Sequence, residues 1–89
     1  MAHYRKRPIQ VDAVQWTGSN LDEIRDLTEG SHQVSKDSAS SFLFVNTLEG
    51  AMRCAIGDWL IRDDHGNFYP CWDKGFQATY EAVDVLETA

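Results

Sequence analysis

Residues 41–80 constrain the fold more than any other part of the chain. Four short apolar runs, at 41–47, 51–56, 59–62 and 67–71, are separated by turns carrying Gly50, Gly57 and Gly66. Runs of this length, punctuated this way, read as an antiparallel meander. Its centre is Gly57-Asp58-Trp59-Leu60-Ile61-Arg62. Phe42-Leu43-Phe44-Val45 is strongly strand-forming, and Gly50 suits the left-handed position closing a three-residue hairpin at Leu48-Glu49-Gly50. On the returning strand Met52, Cys54 and Ile56 share one face and Arg53 takes the other, so Cys54 reads as packing. Asp58 is expected to accept hydrogen bonds from nearby backbone N–H groups.

Residues 4–16 also read as a strand. Ile9, Val11 and Ala13 alternate with Gln10 and Asp12, and then Val14 and Trp16 carry the apolar set on the opposite parity. Either a bulge lies near Ala13-Val14 or both faces of the strand are covered. Pro8 lacks an N–H and places the strand's start at a sheet edge or before the paired region.

A turn at Thr17-Gly18-Ser19-Asn20 leads into a short helix over 21–29. Asn20 is suited to the N-cap, Glu23 can reach back in a variant of the capping box, and Asp22 and Glu23 favour the positive helix end. Leu21, Ile24 and Leu27 line one face, and Gly30 ends the helix. The serine-rich stretch 31–41 is a loop or a ragged edge strand. Residues 72–76 form one packed turn, 78–83 a last strand, and 84–89 a frayed tail. The fold class is α+β: a small, mostly antiparallel curled sheet of five to six strands with one short helix packed on it.

With 89 residues the chain is a single domain, because two would each be too small to exclude water from a core. Fourteen acidic against eight basic residues give a net charge of −6, which disfavours nucleic acid and anionic membranes, both polyanions. Arg5, Lys6 and Arg7 are a local exception, a basic arm able to meet a phosphate or an acidic surface. No run approaches the roughly 20 apolar residues that span a bilayer, and the start lacks a signal-peptide pattern, so the expected location is the cytoplasm. There Cys54 and Cys71 stay reduced.

Thr47-Leu48-Glu49-Gly50-Ala51-Met52, Gly57-Asp58-Trp59-Leu60-Ile61-Arg62, Gly66-Asn67-Phe68-Tyr69-Pro70-Cys71, Phe76 and Thr79-Tyr80-Glu81 resemble a family of short uncharacterised phage and prophage proteins. The opening, Tyr4-Arg5-Lys6-Arg7-Pro8 leading to Ala13-Val14-Gln15-Trp16-Thr17-Gly18 and Asn20-Leu21, is similar to that family's start. The likeness covers nearly the whole chain outside the serine-rich stretch. It departs at Asp63, where the family has glycine, and at Trp72-Asp73, where it has lysine-proline. The resemblance implies a viral or prophage origin and a place in the host cytoplasm, and it brings no catalytic residues.

Asp58, Asp63, Asp64 and His65 are the densest group of potential acid/base or cation ligands, and Asp-Asp-His-Gly-Asn is also an ordinary hairpin loop. Zinc would require convergence among Cys54, Cys71, His3, His32 and His65, whose spacings match no structural zinc motif. No metal or cofactor is expected. Trp16, Trp59, Tyr69, Trp72 and Tyr80 exceed what so small a core readily hides, which leaves two readings of the set, an exposed aromatic patch or complete burial. The leading expectation is a non-enzymatic binding protein that engages a protein partner or a second copy of itself. The alternative is a nucleotide binder stacking on Trp16, Trp59, Tyr69 or Trp72 with phosphates on Arg5, Arg7, Arg53 or Arg62. A metal-assisted hydrolase built around residues 58–65 ranks third.

Overall fold

A computed structural model describes residues 2–3 and 10–81. The beginning of the first strand, with Pro8, lies outside the described residues, as do Ala82 and Val83 of the expected last strand and the tail. Six strands and two helices follow in the order β1 (Asp12–Gln15), α1 (Leu21–Thr28), β2 (Val34–Lys36), β3 (Leu43–Thr47), β4 (Gly50–Cys54), β5 (Trp59–Arg62), β6 (Phe68–Cys71) and α2 (Asp73–Thr79). All strand pairings are antiparallel. The class is α+β, and the strands divide into two three-stranded sheets, β1-β5-β6 and β2-β3-β4.

The division falls at Gly57. The chain leaves β4 at Cys54 and turns through Ala55-Ile56-Gly57-Asp58. Asp58 N–H donates to the Ala55 carbonyl at 2.9 Å, and its carboxylate accepts the Ala55 N–H at 3.1 Å, as expected. Gly57 takes φ +96°, which a side chain would disfavour. The turn is tied to the end of β1, where Trp16 N–H donates to Asp58 O at 2.8 Å and Gly57 N–H donates to Trp16 O at 2.7 Å. The next strand therefore pairs with β1 rather than continuing beside β4.

The main core lies between the sheets and α1. It contains Leu43, Val45 and Cys54 from one sheet, Trp16, Leu60 and Phe68 from the other, and Ile24 and Leu27 from the helix. The parity change in the first strand is resolved by cover on both faces. β1 pairs regularly with β5, Val14 packs on the core, and Ala13 and Gln15 are half-buried on the other side.

Asn20 stands at the N-cap of α1, yet its side chain makes no bond to the helix, which corrects the expected capping box. Its Oδ1 instead accepts from Thr17 N–H and its Nδ2 donates to the Gln15 carbonyl, closing the turn after β1. The competing donors of the Thr17–Asn20 turn won the side chain. Gly30 ends the helix with φ +76°, preceded by a left-handed Glu29. Residues 34–36 form the edge strand. Gly50 takes a positive φ, but it pairs with Thr47, so the hairpin loop is Leu48-Glu49 alone.

A second correction concerns the C-terminal region. Ala78 and Thr79 belong to α2, not to a strand, and the expected single turn extends over Asp73–Thr79. Tertiary contacts override the strand propensity of Thr79-Tyr80: Phe76 and Tyr80, four apart on the chain, stack on one another and on the sheet.

Candidate binding surface

The face of β1-β5-β6 turned away from the core carries Trp59, Ile61 and Tyr69, since these share a parity in the β5–β6 register. α2 lies across it. The Phe76 ring stacks on Trp59 with centroids 4.0 Å apart and planes 7° from parallel, and Tyr80 stacks on Phe76 at 5.0 Å. The Tyr69 and Tyr80 hydroxyls meet at 3.2 Å. Asp73 Oδ1 accepts the Trp59 indole N–H at 2.9 Å, with the amides of Gln77 and Gln15 at 3.4 and 3.5 Å. Burial, and then the Tyr80 hydroxyl, push the Tyr69 phenol well above its ordinary range. Trp59 and Tyr69 thus hold α2 in place.

Trp72 is different, being 62% exposed. Its indole lies over Gly75, where a Cβ would stand 2.5 Å from Nε1. Trp16 is only 1% exposed and donates its indole N–H to the Ser41 carbonyl at 2.7 Å. It is a core residue, which removes it from the expected aromatic surface.

Neither described arginine of the expected set joins these rings. Arg62 lies on the core-facing side of β5, where Nη1 donates to the Leu27 carbonyl at 2.9 Å and Nη2 pairs with Asp12 at 2.7 Å. It satisfies a C-terminal carbonyl of α1, and the Asp12 carboxylate raises its already high pKa. Arg53 is exposed on the other sheet with its guanidinium 4.8 Å from the Phe42 ring centroid. Arg5 and Arg7 lie outside the described residues.

The acidic group around the β5–β6 turn is occupied by its own loop. Asp63 Oδ1 accepts from His65 N–H at 2.9 Å and Asn67 N–H at 2.8 Å. These bonds, Asn67's first, hold its carboxyl below the usual range. Asp58 is bonded to Ala55, and Asp64 and His65 make an exposed contact at 3.9 Å. Among the described residues, no three His, Cys, Asp or Glu side chains converge as metal ligands. Cys54 and Cys71 are free. Burial pushes the Cys54 thiol up to about 12, with the nearby Asp58 charge adding to it, and raises Cys71 for the same reasons.

The surface that sequence reasoning missed lies between the β3–β4 hairpin and the start of β6. An open cleft of about 360 Å³ is walled by Leu48 and Met52 on one side and Phe68, Tyr69 and Pro70 on the other, with Glu49 and Asp63 also lining it. Leu48 is 86% and Met52 44% exposed. A second hollow of about 280 Å³ lies between α1 and β2, but its floor, Ile24 and Leu43, is at most 2% exposed and offers little apolar surface. Leu48 was the available signal for the first cleft, a large apolar residue in a two-residue turn that normally takes Asn, Asp or Gly.

Phe44, 38% exposed, adds an apolar side chain to the outer face of β3, beside Phe42 and Arg53. The exposed apolar groups of the β2-β3-β4 sheet are thus spread over its outer face and hairpin tip, and those at the tip border a concavity. No helix among the described residues is long and apolar enough to cross a membrane. No known protein family, curated protein or solved structure matches the chain.

Proposed function

We propose that this protein acts by binding a protein partner, held in the cleft between the β3–β4 hairpin and β6. The observation that carries the proposal is Leu48, 86% exposed beside the 44% exposed Met52 on the wall of an open cleft. Water-facing apolar side chains grouped around a concavity gain free energy only when something covers them. The test is a pull-down from bacterial lysate comparing the wild-type chain with a Leu48→Ser/Met52→Ser variant of equal melting temperature. Partners retained by the first and lost by the second support the reading; identical capture by both overturns it.

The proposal extends to a phage or prophage accessory role in the host cytoplasm, on the resemblance carried by residues 47–52, 57–62 and 66–71. Self-association belongs to it as well, because among the described residues β2 and β4 are the edge strands of their sheet. Sedimentation velocity across a concentration series tests that corollary. One observation favours the nucleotide alternative: the 62% exposed Trp72 offers a base a stacking surface. Thermal shift against a nucleotide panel tests it, since a ligand at a hundredfold its Kd adds about 2.7 kcal/mol.

A further inference from the structure

We infer that the cleft takes a short cationic segment of a partner protein, which inserts one apolar side chain between Leu48, Met52 and Phe68. This rests on the protein-binding reading above and names the partner's chemistry.

The first argument is size. Ligand clefts run from about 300 to 1,000 Å³, so a space of about 360 Å³ suits one anchoring side chain with its flanks, not a folded surface.

The second is the backbone. Pro70 stands in β6 opposite Leu60 and also lines the cleft. That rim lacks an N–H which a strand-adding peptide would need, so recognition falls to side chains.

The third is charge. Glu49 and Asp63 line the cleft, and among the described residues no lysine or arginine does. Asp63 is held as a carboxylate by the N–H groups of His65 and Asn67. Of the described arginines, Arg62 is engaged with Asp12 and the Leu27 carbonyl, Arg53 is on the sheet face opposite Met52, and Arg25 is on α1 beside the other hollow. An anionic segment approaching this rim meets the like charge of Glu49 and Asp63, on a chain of net charge −6. A cationic one meets two carboxylates.

The test is a ¹⁵N NMR titration of the full chain with three synthetic heptapeptides. Each has a central Ser-Leu-Ser, flanked on both sides by two lysines, two serines or two glutamates. The lysine peptide is expected to shift the amides of Leu48, Glu49, Met52 and Tyr69 and to bind about tenfold more tightly than the serine peptide. That is the factor two exposed ion pairs of middling strength supply. The preference should collapse in Glu49→Gln/Asp63→Asn, a pair of changes that removes both charges and keeps a side-chain oxygen at position 63 to accept the loop's N–H groups. All binding should vanish in Leu48→Asp.

Equal affinity of the lysine and serine peptides at these amides overturns the charge inference and leaves the binding cleft standing. Shifts elsewhere, or none with any peptide, overturn both. If the chain alone self-associates and Leu48→Asp abolishes this, a second copy fills the cleft and the inference is overturned.

Discussion

Among the described residues the two sheets have three strands each and the same antiparallel pairing, yet one is covered on both faces and the other on one. In β1-β5-β6, the sequence neighbours Leu60 and Ile61 are both 0% exposed. Leu60 joins the main core with Ile24 and Leu27, and Ile61 faces the side covered by α2. In β2-β3-β4, Leu43 and Val45 are 0% exposed while Phe44 between them is 38% exposed. Neighbouring strand residues point to opposite faces, so burying both requires two coverings and burying alternate ones requires a single one. The doubly covered sheet is the scaffold. The singly covered sheet carries its unsatisfied apolar groups on its outer face and at its hairpin, where a partner can reach them.

On that division, the largest effect should come from the element joining the sheets. Trp16 continues from β1, is 1% exposed in the main core, and bonds the carbonyl of Ser41 just ahead of β3. Trp16→Ala should cost about 3–5 kcal/mol, the usual loss for a buried large aromatic. Small domains hold about 5–15 kcal/mol in total. Urea denaturation should move the midpoint far down or find the variant unfolded; a shift below about 1 kcal/mol would mean the sheets are joined elsewhere.

Phe76→Ala tests the second covering. α2 has seven residues, too few to be helical alone, and its hold on the sheet runs through the Phe76 ring. A cost of about 2 kcal/mol is expected, roughly half that of a fully buried phenylalanine. Trp59 emission should shift to the red as its ring loses its stacking partner. Unchanged emission would mean that α2 stays seated through Asp73 and Tyr80 without the ring.

Parts of this arrangement were legible in the sequence. β5 and β6 fall within the apolar runs that Gly57 and Gly66 bound, because turn glycines and apolar runs are local properties. α1 and its end at Gly30 were legible for the same reason. The split into two sheets was not, since it depends on the turn at Gly57 bonding to Trp16, about forty residues away in sequence. The first turn of α2 was legible, and its extension to Thr79 was missed because Thr79-Tyr80 prefers a strand locally, while contacts with the Trp59 and Tyr69 rings favour the helix. The aromatic surplus left a patch and burial both open; Trp16 goes to the core and Trp59 to stacking, leaving Trp72 exposed. The cleft was invisible because its walls come from two hairpins, with Leu48 alone as a trace.

Alkaline pH probes both sheets at once. Cys54 faces the main core from β4 and Tyr69 lies under α2, and burial raises both above their ordinary values. A raised acid keeps its proton in the folded state while the unfolded chain loses it. The stabilisation is therefore complete below the unfolded pKa and is lost as pH climbs toward the folded one, about 12 for Cys54. Between pH 8 and pH 10 the thiol alone should cost about 1 kcal/mol of stability. Urea midpoints should fall over that interval, less steeply in Cys54→Ala. An equal slope in that variant would assign the whole dependence to other groups.

The smallest effect should be at the hairpin, and its smallness is what separates the sheets. Leu48 and Met52 are 86% and 44% exposed, so truncating either removes little buried area. Exposed substitutions usually stay within about 0.5 kcal/mol. Leu48→Ala should leave the melting temperature nearly unchanged, with Met52→Ala slightly more costly because its inner-face partner Val45 is fully buried. Both should still weaken partner capture. A loss above about 1.5 kcal/mol at either position would place the hairpin in the folding core and remove the reason for reading its apolar side chains as a binding surface.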